Sequence, residues 1–311
     1  MDGKVIAVVG PTAVGKTKLG VYLGKHLNGE VINADASQIY RGMSIGTAKT
    51  TAEEQEGVPH HLLDLCDPVD AFSAADYQRE ARQVITRLVA DGKQPILVGG
   101  TGFYIKSALY DYQFSNTRID PAYRREMERV AQEAGVAALY EQLRAVDPEA
   151  AESIHPHNKV RVMRALEVFH TTGKPFSKQQ RIPKAPIVPV LYIGLTMPRT
   201  LLYQRIDARV DQMLAHGLVD EVRHLYDQGL AHSQALQAIG YKEFFPYFKA
   251  EASLSACVEQ LKKNSRHYAK RQFTWFRGQM DVQWFEMSAD QTDFAAMAEK
   301  ILFVAREWLC Q

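Results

Sequence analysis

The sequence has little of what marks secreted, zinc-binding or membrane proteins. Its 311 residues include three cysteines, which are far apart and lack CxxC spacing, so a disulfide framework or a zinc ribbon is excluded. We interpret these cysteines as reduced, buried thiols. No apolar run approaches the roughly 18 residues that cross a bilayer, and the N-terminus enters a strand pattern directly. We therefore expect a cytoplasmic protein without a membrane partner.

An overall excess of charge is also missing, although charge is concentrated locally. The net charge of +1 argues against a uniformly basic nucleic-acid binder. Between residues 155 and 184 one acid, Glu167, accompanies seven bases, Lys159, Arg161, Arg164, Lys174, Lys178, Arg181 and Lys184. Between residues 262 and 277 there is no acid beside six bases, Lys262, Lys263, Arg266, Lys270, Arg271 and Arg277. These segments are solvated faces or binding surfaces for a polyanion.

Strand and helix patterns alternate in the first third of the chain. The apolar runs "KVIAVVG", "EVINAD", "HLLDL" and "PILVGG" have strand length, and amphipathic helical patterns lie between them. Gly29 and Gly92 are expected at helix ends, and Ser73 with Asp76 has the spacing of a capping box. The alternation predicts an α/β fold with a doubly wound parallel sheet.

The alternation stops near Tyr112 and resumes around Val190. Residues 113–186 have helical patterns only, whereas "VLYIGLTM" is again typical of a strand. We predict an α/β core of residues 1–112 and 187–311, with an all-helical domain of residues 113–186 inserted into it. Further helices follow, the last of them "LSACVEQLKKNSRHYAKRQFTWFRG". We expect the protein to be a monomer.

The stretch "GPTAVGKT" satisfies the phosphate-loop pattern GxxxxGK[ST] and lies between a predicted strand and a predicted helix. Backbone N–H groups in such a loop surround phosphates, while the lysine adds charge and the Thr17 hydroxyl can bind Mg²⁺. Mg²⁺ is the one cofactor that we expect. The predicted diphosphate-binding residues are Gly10, Pro11, Thr12, Ala13, Val14, Gly15, Lys16 and Thr17.

The strand acid that holds the metal in most nucleotide-hydrolysing relatives of such loops is missing. The strand "PILVGGTGFYI" ends in glycines and Thr101, and "HLLDLCDP" carries Asp64 in its middle. Asp35 instead follows the second strand at its carboxyl end, on the side of the phosphate loop. Its carboxylate can bind Mg²⁺ through water or accept a proton from an acceptor substrate.

Six motifs together resemble one family. "GPTAVGKT", "DASQIYRGMSIGTAK", "VGGTGFYIKSAL", "VRVMRALEV", "AIGYKEF" and "AKRQFTWFRG" occur in the order found in tRNA dimethylallyltransferases, across nearly the whole chain. The resemblance implies a P-loop NTPase-like core whose inserted helical domain binds the anticodon stem-loop of tRNA. It also implies transfer of a dimethylallyl group from dimethylallyl diphosphate to N6 of the adenosine 3′ of the anticodon, in tRNAs that read codons beginning with U.

The resemblance assigns roles to individual residues. Asp35 is the expected general base, Thr101 lies near the reacting centre, and Arg209 contacts the pyrophosphate leaving group. Thr12 is expected near the reacting prenyl carbon. The helical register separates Arg209 and Arg205 from the apolar stripe, and Arg205 is interpreted as an ordinary surface residue.

The resemblance also implies a set of RNA contacts. The expected tRNA-binding residues are Asp35, Ala36, Ser37, Gln38, Lys159, Arg161, Arg164, Gly240, Tyr241, Lys242, Arg271 and Gln272. The family usually has serine at Ala36 and commonly aspartate at Asn158, which puts a contact of Ala36 in doubt. Phe273 and Trp275 are more typical of core aromatics than of stacking platforms.

Two other functions are compatible with parts of the sequence. A small-molecule or nucleotide kinase could use the phosphate loop with Asp35 as base, but it leaves both basic segments unexplained. A non-catalytic RNA-binding module could use a nucleotide only to set its conformation. Consumption of ATP, or transfer of a C5 unit to RNA, distinguishes these alternatives.

Overall fold

The computed structural model describes residues 3–114, 120–179, 185–288 and 291–311. The chain forms two compact units, one of Met1–Tyr110 with Pro186–Gln311 and the other of Asp111–Ala185. The sequence-based boundaries were 113 and 186. Arg181 and Lys184, which contribute to the first basic segment, lie outside the described residues.

The first unit begins with alternating strands and helices. Its N-terminal elements are β1 Val5–Val9, α1 Lys16–His26, β2 Gly29–Asn33, α2 Ala52–Gln55, β3 His60–His61, α3 Ala74–Ala90, β4 Gln94–Gly99 and α4 Gly102–Leu109. The capping box predicted for α3 is present, since Ser73 accepts from the Asp76 N–H and the Asp76 carboxylate accepts from the Ser73 N–H.

The second unit is helical in its described residues, as the sequence predicted. It contains α5 Pro121–Glu133, α6 Val136–Val146, α7 Pro148–Ser153, α8 Lys159–Thr172 and α9 Phe176–Gln179. Leu139, Leu143 and Val162 are fully buried in its core. Asn158 caps α8 by accepting a hydrogen bond from the Arg161 N–H at 3.2 Å. Because asparagine and aspartate cap helices equally well, Asn158 preserves this local role.

The first unit then continues with β5 Val190–Thr196, α10 Arg199–Ala215, α11 Leu218–Asp227, α12 Phe245–Phe248, α13 Leu254–Gln279, β6 Gln283–Glu286 and α14 Gln291–Cys310. No helix in the described part of the chain combines the length and the apolar character needed to cross a membrane.

One six-stranded sheet organises the first unit. Its strand order is β3-β2-β4-β1-β5-β6, and every neighbouring pair is parallel. All five residues of β1 are fully buried, which fits a central strand covered on both faces. The carboxyl ends of β1, β4 and β2 are adjacent, so the loops that follow them meet at one edge. These loops carry the phosphate loop, Thr101 and Asp35, respectively.

Some local expectations were wrong. The predicted strand "HLLDL" ends at His61, because Leu62 and Asp64 adopt positive φ angles of 64° and 51°. Asn28, with φ 49°, takes the left-handed position after α1, and Gly29 already belongs to β2. The letters "GFYI" open α4 instead of extending β4.

The C-terminal strand and the cysteines also differ from expectation. β6 was not predicted, because its four residues carry only one buried side chain, Phe285. Of the cysteines only Cys257 is buried, whereas Cys66 is half-buried and Cys310 is exposed. All three are free thiols, so the exclusion of a disulfide framework is consistent with the structure.

Candidate active site

The phosphate loop has the strand–loop–helix setting that its sequence predicted. It leaves β1 and reaches α1 through left-handed backbone at Gly10, Ala13 and Gly15, with φ angles of 138°, 64° and 104°. A Cβ at Gly10 would lie 2.5 Å from the Leu195 carbonyl oxygen, so a side chain is excluded there. The loop is therefore held close to β5 by backbone packing, and it leads into the N-terminus of α1, where backbone N–H groups can bind an anion.

Lys16 is partly withdrawn from solvent at the mouth of this loop. Its Nζ donates to the Pro11 carbonyl oxygen at 2.6 Å. Burial lowers the pKa of Lys16 to about 7, an effect that the Asp35 carboxylate opposes and the Arg209 guanidinium reinforces. An anion bound in the loop would oppose this desolvation and favour the charged ammonium.

Asp35 is fixed by the backbone after β2. Its Oδ1 accepts from the Ser37 N–H at 3.0 Å, and its own N–H donates to Asn33 Oδ1 at 3.1 Å. The Thr101 hydroxyl oxygen accepts from the Ala36 N–H at 3.0 Å, which joins the β2 and β4 loops. Ala36 therefore contributes backbone here, and its missing side-chain hydroxyl is not needed for this contact.

Arg209 points from α10 toward the phosphate loop. Its Nη1 donates to the Thr12 hydroxyl at 3.2 Å. Burial lowers the pKa of Arg209, while the Asp35 carboxylate acts in the opposite direction. Arg205, one turn earlier, lines the same cavity as the phosphate loop. Arg205 is half-buried, so its place beside this cavity goes beyond the interpretation of an ordinary surface residue.

Two cavities meet at this point. One, of about 580 Å³, is lined by Lys16, Thr17 and other polar residues around the phosphate loop. The other, of about 310 Å³, has apolar walls from α10 and α13 together with polar groups from neighbouring loops. Both cavities share four lining residues, Thr12, Asp35, Thr47 and Arg209. The arrangement brings a cavity beside the phosphate loop and a cavity with mixed apolar and polar walls to one set of side chains.

Gln272, on α13, supports the phosphate loop from behind. Its Nε2 donates to the Gly100 carbonyl oxygen at 3.0 Å, and its Oε1 accepts from the Thr12 N–H at 2.9 Å. Only 5% of its surface is exposed. The structure therefore gives Gln272 a supporting role within the protein in place of the predicted contact with RNA.

Sequence reasoning missed Tyr268 and Thr47. Tyr268 lies one helical turn before Gln272, lines the second cavity, and has the side chains of Thr101 and Gln272 near its hydroxyl. Burial raises its pKa to about 12. Gln272 could have pointed to Tyr268 in the sequence. It follows Tyr268 by four residues on the same helix face, and a buried amide needs polar neighbours.

The "GYKEF" segment also has a different role from the one expected for Tyr241. The Tyr241 side chain is fully buried, and its hydroxyl donates to the Glu221 carboxylate at 2.6 Å. Tyr241 is therefore a packing residue, since RNA cannot reach its side chain. Gly240 is buried but borders the second cavity, and Lys242 is exposed.

The basic residues proposed for RNA binding differ in their surroundings. Arg161 on α8 is exposed, Lys159 is half-buried, and Arg164 lies 3.6 Å from Glu167. On α13, Lys262 and Arg266 form ion pairs with Asp211 and Asp207 of α10. The exposed cations Lys270 and Arg271 instead border a shallow depression with His267, Thr274 and Trp275.

The two aromatic residues of the last motif make internal contacts. Phe273 packs edge-on against Trp284, with ring centroids 5.0 Å apart. Trp275 covers Gly102, where a Cβ would lie 2.1 Å from its ring. These contacts agree with the expectation that both are core aromatics. Gly102 is needed here because α13 approaches the start of α4 so closely.

Comparisons with known proteins agree with these features. A family model described as IPP transferase matches residues 38–279. The tRNA dimethylallyltransferase of Geobacillus thermodenitrificans is 56% identical over 302 residues, which cover 97% of this chain and 96% of that protein. The protein of the same name from Bacillus subtilis is 53% identical over 285 residues, or 91% of each chain.

Solved structures give the same result. A tRNA isopentenylpyrophosphate transferase from Bacillus halodurans is 47% identical, has a TM-score of 0.74, and matches over 98% of this chain and 96% of its own. A eukaryotic dimethylallyltransferase acting on tRNA is 30% identical and has a TM-score of 0.84. The match covers 99% of this chain and 80% of that structure's chain. The predicted α/β fold and the predicted family are therefore confirmed: the chain belongs to the tRNA dimethylallyltransferase family, a family of prenyltransferases.

Proposed function

We propose that this protein transfers the dimethylallyl group of dimethylallyl diphosphate to N6 of the adenosine immediately 3′ of the anticodon, in tRNAs that read codons beginning with U. The observation that carries the proposal is the junction of the two cavities at Thr12, Asp35, Thr47 and Arg209. A displacement at carbon needs the leaving group and the nucleophile on opposite sides of one centre. Two cavities that share four side chains support this arrangement, with the diphosphate proposed in one cavity and the nucleophile in the other.

The diphosphate would occupy the larger cavity. Phosphate-loop N–H groups, Lys16 and Arg209 would stabilise the charge that develops on pyrophosphate as the bond from C1 to oxygen breaks. Thr12 accepts a hydrogen bond from Arg209, which places its hydroxyl beside the same group. Thr12 is therefore proposed to lie close to the reacting prenyl carbon.

Mg²⁺ fits this cavity as a partner of the substrate. No group of three or more His, Cys, Asp or Glu side chains in the described part of the chain could hold a metal ion. Mg²⁺ commonly binds through few protein ligands together with substrate phosphates and water. The Thr17 hydroxyl and the Asp35 carboxylate line the cavity and suit this mode. When bound, Mg²⁺ would neutralise part of the charge on the leaving pyrophosphate.

The adenine would enter the second cavity after leaving the stack of the anticodon loop, which is how enzymes reach atoms of a stacked base. N6 then forms the bond to C1 while pyrophosphate departs, and the Asp35 carboxylate accepts the N6 proton. Ser37 and Gln38 lie beside Asp35 and are proposed to contact the base. The apolar walls from Val210 and Leu261 exclude water from the prenyl group.

Exposed lysine and arginine side chains of both units would hold the RNA through its phosphate backbone. Arg161 on α8 and Lys270 with Arg271 on α13 are suited to phosphate contacts, which position RNA without reading its sequence. Lys159, Arg164 and Lys242 are further candidates. The partner is proposed to be the anticodon stem-loop, and the protein is proposed to act as a cytoplasmic monomer.

The test is incubation with dimethylallyl diphosphate, ATP, Mg²⁺ and an anticodon stem-loop that carries three consecutive adenosines. We expect the RNA to gain the mass of one C5 unit and pyrophosphate to be released. A stem-loop with inosine in place of the acceptor adenosine is the control, because it lacks the N6 amine. Consumption of ATP without a mass gain on the RNA would replace this proposal with the kinase alternative.

A further inference from the structure

One carboxylate holds a short backbone segment at the edge of both cavities. Glu221 of α11 accepts hydrogen bonds from three successive N–H groups, those of Ser44, Ile45 and Gly46, at 2.9, 2.8 and 3.0 Å. Successive backbone N–H groups that converge in this way form a concave anion site. Here the anion is a side chain of the same protein, supplied from a helix far along the chain.

Tyr241 completes this arrangement. Its hydroxyl donates to Glu221 Oε1 at 2.6 Å, and its ring lies against Gly46 so closely that a Cβ there would be 2.6 Å away. Gly240 approaches the same backbone, since its Cβ would lie 2.9 Å from the Gly46 carbonyl oxygen. The "GYKEF" segment and α11 therefore fix residues 44–48, which we name the clamped loop.

The clamped loop in turn fixes two side chains of the site. Thr47 lines both cavities. The carbonyl oxygens of Thr47 and Ala48 each accept from Gln38 Nε2 at 3.2 Å. Both amide hydrogens of Gln38 are thereby engaged, so the acceptor atom Oε1 is the part of the side chain left for a ligand. A donor such as an exocyclic amine matches an acceptor presented in this way.

We propose that Glu221 is a positioning residue for prenyl transfer, which holds the clamped loop so that Thr47 and Gln38 keep their places beside Asp35. This inference rests on the proposed function, because it concerns the same reaction. Glu221 acts through the loop backbone and is not placed in contact with substrate.

The solvent exposure of the clamped loop distinguishes a positioning role of Glu221 from a general contribution to stability. Ser44 is exposed, and Ile45 and Gly46 are only half-buried. Water can therefore satisfy their N–H groups when the carboxylate is removed. Loss of Glu221 should then release the loop without unfolding the protein, and the change should appear in turnover more than in stability.

The test is a double-mutant cycle in prenyl transfer with Glu221→Gln and Gln38→Ala. The amide of Glu221→Gln keeps the size of the side chain but removes one of the two acceptors. We expect kcat to fall about tenfold and KM for dimethylallyl diphosphate to change less than about twofold. In the Gln38→Ala background the same substitution should cost only about twofold, because coupled residues are non-additive.

Controls make each result decisive. Asp220→Asn alters an exposed acid next to Glu221 on α11 and should leave transfer unchanged. If Glu221→Gln does not fold, Tyr241→Phe replaces it in the cycle, since it removes only the hydroxyl that donates to Glu221. Unchanged kcat, or equal effects of the clamp variant with and without Gln38, would overturn the inference. A wild-type protein that transfers nothing would instead overturn the proposed function.

Discussion

The two cavities of the first unit are lined by different kinds of residue. The larger one is lined by Lys16 and other residues of the phosphate loop, by Arg205 and Arg209 of α10, and by polar residues of the segments that follow β2. The smaller one is lined by Ile206, Val210, Met213, Leu261 and other residues from separate parts of the chain. One space suits a multivalent anion, whereas the other suits a flat or branched organic group.

This difference explains how one site can both attract a diphosphate and protect a reactive carbon. Charge is stabilised most strongly where water is excluded and dipoles are already oriented. In the proposed reaction, separate cavities would allow cations to surround the pyrophosphate while the prenyl group and the base meet beside Val210 and Leu261. The four shared residues, Thr12, Asp35, Thr47 and Arg209, are where the two environments must be coordinated.

The largest effect should come from Asp35, the carboxylate at the junction. In Asp35→Ala, transfer should fall by roughly 10² to 10⁴, which is the contribution of a general base. Affinity for RNA should be retained, because the phosphate contacts proposed for Arg161 and Lys270 do not involve Asp35. Single-turnover transfer and a filter-binding assay measure the two quantities. Asp67→Ala, at an exposed surface ion pair, is the control, and unchanged transfer in Asp35→Ala would remove the residue from this role.

Arg209 tests the anionic side of the comparison. Arg209→Gln removes the charge beside Thr12, and kcat/KM for dimethylallyl diphosphate should fall by roughly 10², as for loss of one donor to a developing anion. Arg199→Gln, on an exposed turn of the same helix, is the matched variant and should behave as wild type. Equal loss in both variants would mean that net charge, and not the contact with the leaving group, explains the effect.

Lys16 should make the affinity for diphosphate depend on pH, and this effect should be smaller than those expected for Asp35 and Arg209. Burial lowers its pKa to about 7 in the free protein, so at pH 8 most of the lysine is neutral. A bound diphosphate raises that pKa, and binding should therefore take up close to one proton between about pH 7.5 and 9. Above pH 7 the affinity should weaken by up to about tenfold per pH unit.

The measurement is calorimetry of inorganic pyrophosphate binding in two buffers that differ in ionisation enthalpy. The same linkage predicts that the free energy of unfolding rises with pH between about 7 and the usual lysine pKa, because the unfolded chain binds more protons there. Lys16→Met should abolish the uptake that occurs around pH 8.5. Equal uptake in wild type and Lys16→Met would assign the proton to another group.

The two cavities also differ in how far the sequence could predict them. The phosphate loop is a contiguous pattern with a fixed backbone conformation, so its residues and its place after β1 followed from the letters alone. Asp35 and Thr101 could be placed because parallel strands direct their carboxyl ends to one edge. The sequence therefore located the phosphate loop, Asp35 and Arg209 in this cavity, whereas Thr47, Thr50 and Glu54 were not predicted to line it.

The lining of the second cavity depends on tertiary contacts that no local sequence pattern encodes. Thr47 belongs to it because Glu221, about 175 residues later, holds the loop. Tyr241 and Gln272 occur in motifs that suggested RNA contacts, yet tertiary packing buries both. The strand β6 was missed for a related reason, since a short edge strand has too few buried positions for a periodic signal.

A Tyr268 variant should have the smallest effect, and it tests the second cavity locally. The Tyr268 hydroxyl lies near Thr101 and Gln272, and Gln272 in turn accepts a hydrogen bond from the Thr12 N–H of the phosphate loop. Tyr268→Phe keeps the ring against the cavity and removes one hydrogen-bonding group, so kcat should fall by about 2- to 10-fold, the equivalent of one net hydrogen bond. Affinity for inorganic pyrophosphate, measured by calorimetry, should be unchanged if the two cavities function separately. A weaker pyrophosphate affinity would mean that α13 couples them through Gln272, and in that case Gln272→Ala should reproduce the loss while Thr274→Ala, on the exposed face of the same helix, should not.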